Sequence, residues 1–570
     1  MKLYTNEVWK GKTMINVPKI KQSATLSHLG SIATQTKTAP TNESQKNSSP
    51  NYTTTIYPNE TVSVYKPTET DSKLTHTSWF YINDVHGKMT NMERIYNISK
   101  EFDNTASDVM SPKFFTNNTN VSKFKVSSGD VILGEEIIPN TVASQFLNWS
   151  GFLASALGNH ELDVTKPENF AKLLGESSYK MLAANVDVKP ESPLADKIHK
   201  SIITEKDGIK YGIIGIAPPD MHQRVKQNET LKEFTIYNTE ETIKRVQAEV
   251  EKLKKQGLKH IVVLSHGGNK LDKQLAQETQ DIDIIFGAHT HNLIRGITEG
   301  ENLFYSKSGE PVIITQAGKD GENLGILNVS FDQNGIIKKA QNNIIRTRDY
   351  NRPLFIKDTV ENILGKPEIV GRVKAAVAPP ENRLIENNPH GNLITDAMRI
   401  ELGTDIALLN AGNIRGYFSQ GPVDTRLLTD ISPFGNKMMI LNLDEKQIVD
   451  AIKFGLNSIT KASNKPGLLL VSGLKYTGNK QGELLELEFI DKNNQVHKID
   501  INNPDPNKKY TVAADDFFAT GGDGYLKPSK NMDFVVQKFD MDKNILTRDY
   551  IKKLDQPIEI TDDKRIKIIE

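Results

Sequence analysis

The sequence predicts an α/β protein of more than one domain. Its 570 residues exceed what a single hydrophobic core usually supports, so two domains are expected. Short apolar runs of buried-strand length recur along the chain, and a stretch of helical periodicity separates two of them. Alternating strands and helices of this kind are typical of an α/β domain.

The first 76 residues differ in composition from the rest. Thirteen of the 22 residues from Thr34 to Thr55 are Ser, Thr or Asn. Such a segment buries too little apolar surface to offset the entropy lost on ordering. We expect residues 1–76 to be either an arm that anchors the chain to a protein partner or a tail with no structure of its own.

Residues 77–350 are predicted to form the first α/β domain. Its clearest predicted strands are Ser78–Asn83, Lys210–Ile216, Lys259–Leu264 and Asp281–Phe286. A helix is predicted between the second and third, because Asn238 can cap it, Glu241 follows three residues later and Gly257 can end it. The apolar residues of this helix, spaced by three, four and three, are Ile243, Val246, Val250 and Leu253.

Residues 351–380 are predicted to be a linker, and 381–570 a second α/β domain. The linker is more polar and contains Pro353, Pro367, Pro379 and Pro380. A helix and hinge are expected near residues 358–365. No internal repeat is evident in either domain.

The composition excludes several functional classes. Lys and Arg together number 71, as do Asp and Glu, so the net charge is zero and nucleic acid is not expected as the main partner. The absence of cysteine excludes disulfides, iron–sulfur clusters and thiol nucleophiles. No signal peptide or membrane span is predicted, which favours the cytoplasm or a larger assembly, such as a virion or cell surface, over export.

Polar residues follow five apolar runs in the first domain. They are Asp84 and His86 in INDVHG, Asp130 in SSGDVILG, Asn159 and His160 in LGNHELD, His266 in LSHGG, and His289 and His291 in FGAHTHN. Open α/β sheets bind ligands at the carboxyl ends of their strands, so these side chains are expected to converge. Carboxylate, amide and imidazole groups together suit two divalent transition ions, with Zn, Mn, Fe and Co as open choices.

This series of motifs resembles the calcineurin-like metallophosphoesterases, and within them the 5′-nucleotidase family. The resemblance implies a four-layer α/β/β/α sandwich followed by a C-terminal α/β substrate-binding domain. It also implies the metal ligands. The first metal would be held by Asp84, His86, Asp130 and His291, and the second by the bridging Asp130 with Asn159, His266 and His289. By the same resemblance, His160 is a catalytic residue that faces the substrate, and Asp163 orients it.

The second domain contains motifs that resemble the substrate domain of the same family. They are GNLITDAMR, LLNAGNIR, SPFGN and DFFATGGDGY. The resemblance implies that Asn410 and Arg415 contact the substrate, with Arg415 on phosphate, and that Asp523 accepts hydrogen bonds from the ribose. Phe434 and Phe517 would stack on the nucleobase, although phenylalanine is more often a core residue.

The chain departs from the family pattern at three of these motifs, and in one of them, DFFATGGDGY, Thr520 replaces a usual asparagine. An arginine is common some seven residues before the GNL glycine, where this chain has Leu384, with Arg383 one position away. Asn413 stands in NAGNIR where glycine is usual, and asparagine tolerates left-handed backbone. Whether Arg383 takes the place of the missing arginine is open at this point.

The predicted function is a two-metal phosphohydrolase acting on nucleoside 5′-monophosphates. Nucleoside di- and triphosphates and nucleotide sugars are further candidate substrates, and a hydroxide between the metals would be the nucleophile. One alternative is a 2′,3′-cyclic-nucleotide phosphodiesterase or 3′-nucleotidase with the same machinery. An alternative of another class is a structural component of a larger assembly, tethered by residues 1–76.

Overall fold

The computed structural model describes residues 74–107, 114–115, 119–134, 136–225, 228–350, 352–527 and 532–570. The chain divides into two compact units, with the division after Gly365 and the short segment Leu133–Glu136 grouped with the second unit. The prediction of an anchoring arm lies outside the described residues as far as residue 73. The first strand begins at Thr75, just before the predicted start of the first domain.

The first unit contains two large sheets with helices on their outer faces, and a small antiparallel sheet of two strands, β5 and β9. Its strands are Thr75–Ile82 (β1), Val121–Ser127 (β2), Ala154–Ala156 (β3), Lys180–Leu182 (β4), Val186–Val188 (β5), Ile198–His199 (β6), Ser201–Lys206 (β7), Ile209–Ile216 (β8), Phe234–Ile236 (β9), His260–Ser265 (β10), Ile284–Phe286 (β11), Leu303–Tyr305 (β12), Pro311–Thr315 (β13), Asn323–Phe331 (β14) and Ile337–Arg346 (β15). Its α-helices are Met89–Asn104 (α1), Ile137–Ser150 (α2), Pro167–Gly175 (α3), Met221–Arg224 (α4), Thr239–Lys255 (α5), Asn269–Glu278 (α6) and Lys357–Leu364 (α7).

The two large sheets of the first unit are mixed, and each contains a block of parallel strands. The strand orders are β15-β14-β1-β2-β3-β4-β6 and β12-β13-β11-β10-β8-β7. Strands β1, β2, β3, β4 and β6 are parallel to one another in the first sheet, as are β8, β10, β11 and β13 in the second. The carboxyl ends of the parallel strands therefore lie at one edge of each sheet.

Hydrophobic contacts arrange these elements in four layers. Alternate residues of β1 point in opposite directions, so Trp79 and Tyr81 pack between the sheets against Tyr211 and Phe286 of the second sheet. On the other face of the first sheet, Phe80 and its neighbours pack against helices α1, α2 and α3. Helices α5 and α6 cover the outer face of the second sheet. The predicted α/β/β/α sandwich is confirmed.

Helix α5 follows the sequence prediction closely. The side chain of Asn238 accepts a hydrogen bond from the backbone N–H of Glu241 at 3.0 Å, and Gly257 follows the helix with a left-handed φ of 84°. The four predicted strands are present as β1, β8, β10 and β11. The last is shorter than predicted and starts at Ile284, because Asp281 already adopts a left-handed φ of 60°.

The second unit is a mixed α/β domain around one main core. Its strands are Ile369–Ala376 (β16), Ile406–Asn410 (β17), Gly421–Asp424 (β18), Lys437–Asp444 (β19), Leu469–Ser472 (β20), Leu474–Asn479 (β21), Leu484–Ile490 (β22), Val496–Lys498 (β23), Lys509–Asp515 (β24), Val535–Asp542 (β25), Ile558–Ile560 (β26) and Ile566–Ile569 (β27). Its α-helices are Pro389–Leu402 (α8), Thr425–Ile431 (α9), Glu445–Leu456 (α10), Asp516–Ala519 (α11) and Lys543–Leu554 (α12). The central sheet has the order β20-β17-β24-β19-β25.

Helix α7 and strand β16 lie within the predicted linker over residues 351–380. Gly365 follows α7 with a left-handed φ of 87°. The hinge role of this region stays a prediction. In the part of the chain that the structure describes, no helix is both long and apolar enough to span a bilayer.

Candidate metal centre and substrate-binding residues

Five strands of the first unit end at the predicted metal ligands. These ligands are Asp84 and His86 after β1, Asp130 after β2, Asn159 after β3, His266 after β10, and His289 and His291 after β11. The first sheet therefore supplies four of them and the second sheet three. Their positions at the carboxyl ends of parallel strands explain how residues far apart in sequence meet at one place.

The carboxylates and imidazoles form three overlapping groups. Within each group, the ligand atoms lie within 4.8 Å of one another. The groups are Asp84, His86 and His291; His86, Asp130 and His160; and Asp130, His266 and His289. Asp130 belongs to two of them, and its Oδ2 lies 3.5 Å from His86 Nε2 and 3.2 Å from His266 Nε2. This central position is the one that a bridging carboxylate requires.

Several buried atoms of this cluster fit the requirements of a metal ligand. His86 Nε2, His266 Nε2 and Asn159 Oδ1 are buried and make no hydrogen bond among the described residues. The other ring nitrogens are fixed, since His86 Nδ1 donates to Asp320 at 2.9 Å and His266 Nδ1 donates to the Ser128 carbonyl at 2.6 Å. Each histidine thus directs its Nε2 into the cluster, as in many metal sites.

The electrostatics of the cluster favour positive charge. Burial alone would lower the pKa of His86, but the carboxylates of Asp130 and Asp320 outweigh it and raise that pKa to about 9. Burial also disfavours the charged form of His266, yet Asp130 and Asp84 raise its pKa to about 10. The protein therefore stabilises cations at this position, and the residues fit a pair of divalent metal ions.

The backbone at the cluster is strained. Five of the predicted ligands have left-handed backbone without being glycine: Asp84, His86, Asp130, His289 and His291, with φ between 50° and 70°. Left-handed backbone costs such residues about 1–2 kcal/mol each. The surroundings impose it, because the N–H groups of Asp84 and His86 donate to the carbonyls of Gly129 and Asp130, each at 2.9 Å. Strain of this kind concentrates at functional sites.

Two carboxylates that sequence reasoning missed support the cluster. Glu161 is buried and accepts hydrogen bonds from the backbone N–H groups of Asp130, Val131 and Gly158, at 2.8–3.0 Å. It joins the loops after β2 and β3. Asp320 accepts the His86 Nδ1–H and lies in the loop after β13. A search for polar residues after β13, like the one after the other strands, would have found Asp320.

Replacing Asp320 by asparagine is expected to weaken divalent-metal binding about 10- to 100-fold, the usual loss when the partner of a ligating histidine is removed. The amide loses the negative charge that favours the basic His86 ring. Calorimetric titration of the metal-free chain with Mn²⁺ or Zn²⁺ measures the change. Asp491 is a control, since it accepts from His497 Nε2 at 3.0 Å in the second unit. Unchanged metal affinity in Asp320→Asn, or an equal loss in Asp491→Asn, would contradict the role.

The predicted catalytic pair lies beside the cluster. His160 Nδ1 donates to Asp163 Oδ2 at 2.8 Å, and the centroid of the His160 ring lies 5.2 Å from that of His86. The backbone N–H of His160 donates to Asp130 Oδ1 at 2.8 Å. His160 is thereby fixed at the edge of the candidate metal centre with one ring nitrogen paired to a carboxylate.

The predicted substrate residues all lie in the second unit. Asn410 donates to Asp523 Oδ2 at 3.0 Å, which joins two of them. The guanidinium of Arg415 lies over the Phe434 ring, 5.3 Å from its centroid, and Arg415 Nε donates to the Gly412 carbonyl at 2.9 Å. Asn410 is the last residue of β17, Arg415 follows in the next turn, and Phe434 lies in the loop after α9.

The two predicted stacking residues are not core residues. Phe434 and Phe517 are half-buried and do not belong to the hydrophobic cluster of the second unit. The neighbouring Phe518 is the core residue, at 1% exposure. Gly522 packs beneath the Phe517 ring, where an added Cβ would lie 2.6 Å from a ring carbon. This glycine is required for close approach.

Two family models match the chain. The model described as calcineurin-like phosphoesterase matches residues 79–293, and the model described as 5′-nucleotidase, C-terminal domain, matches residues 369–528. The chain belongs to the 5′-nucleotidase family.

Curated relatives of this family member come from bacteria and animals. It is 28% identical over 453 residues to the trifunctional nucleotide phosphoesterase protein YfkN of Bacillus subtilis, covering 70% of this chain and 30% of that protein. It is 25% identical over 456 residues to the 5′-nucleotidase of Bos taurus, covering 73% and 77% respectively. The chain spans about a third of the length of YfkN and of the B. subtilis endonuclease YhcR, 30% and 37%.

Solved structures show the same fold. A 5′-nucleotidase precursor from Thermus thermophilus aligns with a TM-score of 0.67 at 23% identity, covering 87% of this chain and all of that one. The sulfate thiohydrolase SoxB of Thermus thermophilus aligns with a TM-score of 0.61 at 14% identity, covering 88% and 98%.

The departure of this 5′-nucleotidase family member at Leu384 has a structural explanation. Leu384 packs against the hydrophobic core, whereas Arg383 is half-buried and its Nη1 lies 3.4 Å from the carbonyl of Ala411. Arg415 contacts the next residue of the same turn, at the Gly412 carbonyl. The two arginines therefore flank one turn, and their binding of phosphate stays a prediction.

Proposed function

We propose that the chain is a two-metal phosphohydrolase that releases phosphate from nucleoside 5′-monophosphates. The observation that carries the proposal is the cluster around Asp130, whose buried imidazole and amide atoms have no hydrogen bond among the described residues. Two divalent cations, when bound, supply Lewis acidity and lower the pKa of water towards neutrality. Their identity among Zn, Mn, Fe and Co is set by availability as much as by the ligands.

The residues of the first unit would act on the reacting phosphate. His160 lies beside the cluster, and its Nε2, the ring nitrogen that is not bonded to Asp163, would stabilise the charge that develops or protonate the leaving oxygen. Asp163 holds the ring through Nδ1, which fixes its tautomer and orientation. Asp320 and Glu161 hold the ligand loops in place.

The residues of the second unit would recognise the nucleotide. Arg415 and Arg383 present guanidinium groups, whose planar donors match phosphate oxygens. Phe434 and Phe517 present partly exposed rings for the base, and Asp523 presents a carboxylate for the ribose hydroxyls. Stacking tolerates different bases, which favours a broad nucleotide range.

Related proteins support the substrate class without fixing the substrate. Their names include trifunctional nucleotide phosphoesterase, apyrase, NAD 5′-nucleotidase and 5′-nucleotidase. We therefore extend the proposal to nucleoside di- and triphosphates and nucleotide sugars. The cyclic-nucleotide and 3′-nucleotide activities remain alternatives that the same assay separates. Tethering by residues 1–76 remains a proposal with no support from the described residues.

Phosphate release from AMP by the purified chain tests the proposal, with Mn²⁺ or Zn²⁺ added and EDTA as the control. Metal-dependent release is expected. A panel of ADP, ATP, 3′-AMP and 2′,3′-cyclic AMP then ranks the substrates. Preference for the last two would replace the 5′-nucleotidase assignment with the alternative one, and no release from any of them would contradict the phosphohydrolase itself.

Replacing Phe434 or Phe517 by alanine is expected to raise the KM for AMP about 5- to 150-fold, since stacking contributes about 1–3 kcal/mol per base. Hydrolysis of p-nitrophenyl phosphate, which has no nucleobase, is expected to change by less than about twofold. Phe355→Ala is the matched control, because Phe355 is 58% exposed and lies in the first unit. A similar loss with both substrates would show that the rings support the fold instead.

A further inference from the structure

Asn413 occupies a central position among the predicted substrate residues, although none of the roles described so far involves it. It is buried, at 2% exposure. Its Nδ2 donates to Asn410 Oδ1 at 3.3 Å and to Asp515 Oδ2 at 3.2 Å, and its Oδ1 accepts from Ser432 Oγ at 2.9 Å. One amide thus connects three segments of the second unit that are distant in sequence.

The network continues from Asp515 to both loops that carry the predicted stacking rings. Asp515 Oδ1 accepts from the backbone N–H of Phe518 at 2.9 Å, which caps the short helix α11 that contains Phe517. Asp515 Oδ2 lies 3.9 Å from the Nζ of Lys543, a lysine with 0% exposure. Lys543 Nζ donates to the carbonyl of Phe434 at 2.7 Å.

A second set of contacts holds the Phe434 loop from the same side. Asn544, the neighbour of Lys543 in helix α12, donates to the Ser432 carbonyl at 2.8 Å. Ser432 is fully buried, and its hydroxyl donates to Asn413. The start of α12 and the side chain of Asn413 therefore fix this loop at adjacent points.

Burial makes this network sensitive to the loss of Asn413. Without the amide, the carboxylate of Asp515 would lose a donor and the Ser432 hydroxyl its acceptor, in a region closed to water. A buried carboxylate and lysine tolerate burial only with a full set of partners. The loops would shift until other partners were found, and the rings they carry would shift with them.

We propose that Asn413 is a positioning residue for nucleoside recognition, which acts through Asp515 and Lys543 on the loops of Phe434 and Phe517. This inference rests on the proposed function. Asparagine at this position supplies side-chain contacts to Asn410, Asp515 and Ser432. The residue would set how tightly the nucleoside binds, with little influence on the chemistry at the metal centre.

Asn413→Ala tests the inference through a KM-against-kcat comparison. Adenosine binding, measured by calorimetry, is expected to weaken about tenfold, and the KM for AMP is expected to rise by about the same factor, in the range for lost buried hydrogen bonds. Turnover of p-nitrophenyl phosphate is expected to stay within about twofold of the wild-type rate. A general structural defect would lower both activities together.

Asn479→Ala is the matched control. Asn479 is another buried asparagine of the same unit, and it makes three hydrogen bonds to Gln481 and Glu483 after the end of β21. Its loss is expected to leave adenosine affinity unchanged. Ser432→Ala removes a single contact of Asn413, and the double variant with Asn413→Ala is expected to lose no more affinity than Asn413→Ala alone. Should Asn413→Ala not fold, Ser432→Ala carries the test with an expected loss of about threefold.

The outcomes separate this inference from the proposed function. A wild-type chain with no activity on any nucleotide contradicts the proposed function and removes the basis of the inference. A wild-type chain that hydrolyses AMP, with Asn413→Ala and Ser432→Ala binding adenosine normally, overturns the positioning role alone. An equal loss in Asn479→Ala also overturns it.

Discussion

Asp130→Asn is expected to lower metal-dependent phosphate release about a thousandfold. Asp130 Oδ2 lies 3.5 Å from His86 Nε2 and 3.2 Å from His266 Nε2, so in the proposed site it would contact both metal ions. Its neutral amide would remove one negative charge shared by two cations, and metal ions supply several kcal/mol of transition-state stabilisation. Steady-state rates with AMP measure the loss of catalysis, and elemental analysis measures the loss of bound metal.

Asp283→Asn is the matched control for this substitution. Asp283 is also buried, at 8% exposure, and its carboxylate accepts from the backbone N–H of Ile261 at 2.7 Å, away from the metal cluster. Burial raises the pKa of Asp283 well above its usual range, so the uncharged amide is a close substitute. Normal activity and metal content in Asp130→Asn would rule out the bridging role, whatever the control shows.

His160→Ala is expected to lower kcat by about 10²- to 10⁴-fold, the usual contribution of a positioned general acid or base. Metal content is expected to stay at the wild-type level, because His160 is placed beside the ions and is not predicted to ligate them. Metal content must be measured beside kcat, since the imidazole of His160 lies close enough to His86 and Asp130 to act as a ligand. If His160→Ala loses one metal equivalent, His160 is a metal ligand instead.

His497→Ala is the control for His160→Ala. His497 also pairs with an aspartate, Asp491, at 3.0 Å, but it lies on strand β23 of the second unit. Its loss is expected to leave kcat unchanged. A His160→Ala enzyme within tenfold of the wild-type rate would refute a catalytic role for this histidine.

The sequence predicted well the features that local patterns determine. Helix α5 starts and ends where its capping residue and glycine indicate, and the strand ends bring together the carboxylates and imidazoles among the predicted ligands, whose binding of metal stays a prediction. The helix follows from the periodicity of neighbouring residues, and the meeting of the ligands follows from the shared direction of the parallel strands. Phe434 and Phe517 are half-buried, whereas Phe518 next to Phe517 is buried, so the two predicted stacking residues are not core residues.

The supporting residues could not be predicted in the same way. Glu161 holds backbone groups of Asp130 and Val131, about 30 residues away in sequence, and Asn413 reaches Asp515 about a hundred residues away. A buried carboxylate or amide is not distinguishable in sequence from an exposed one, because its partners are set by tertiary packing. The hydrogen bonds that support the predicted site residues could therefore be identified only from the structure.

The origin of the ligands in two sheets has a consequence for how the first unit unfolds. Asp84, His86, Asp130 and Asn159 come from one sheet, whereas His266, His289 and His291 come from the other. Cations bound by both sets would cross-link the two halves of the sandwich and disfavour their separation. Added metal should therefore raise the melting temperature of the first unit selectively and make its two sheets melt as one cooperative block, while the second unit melts as before.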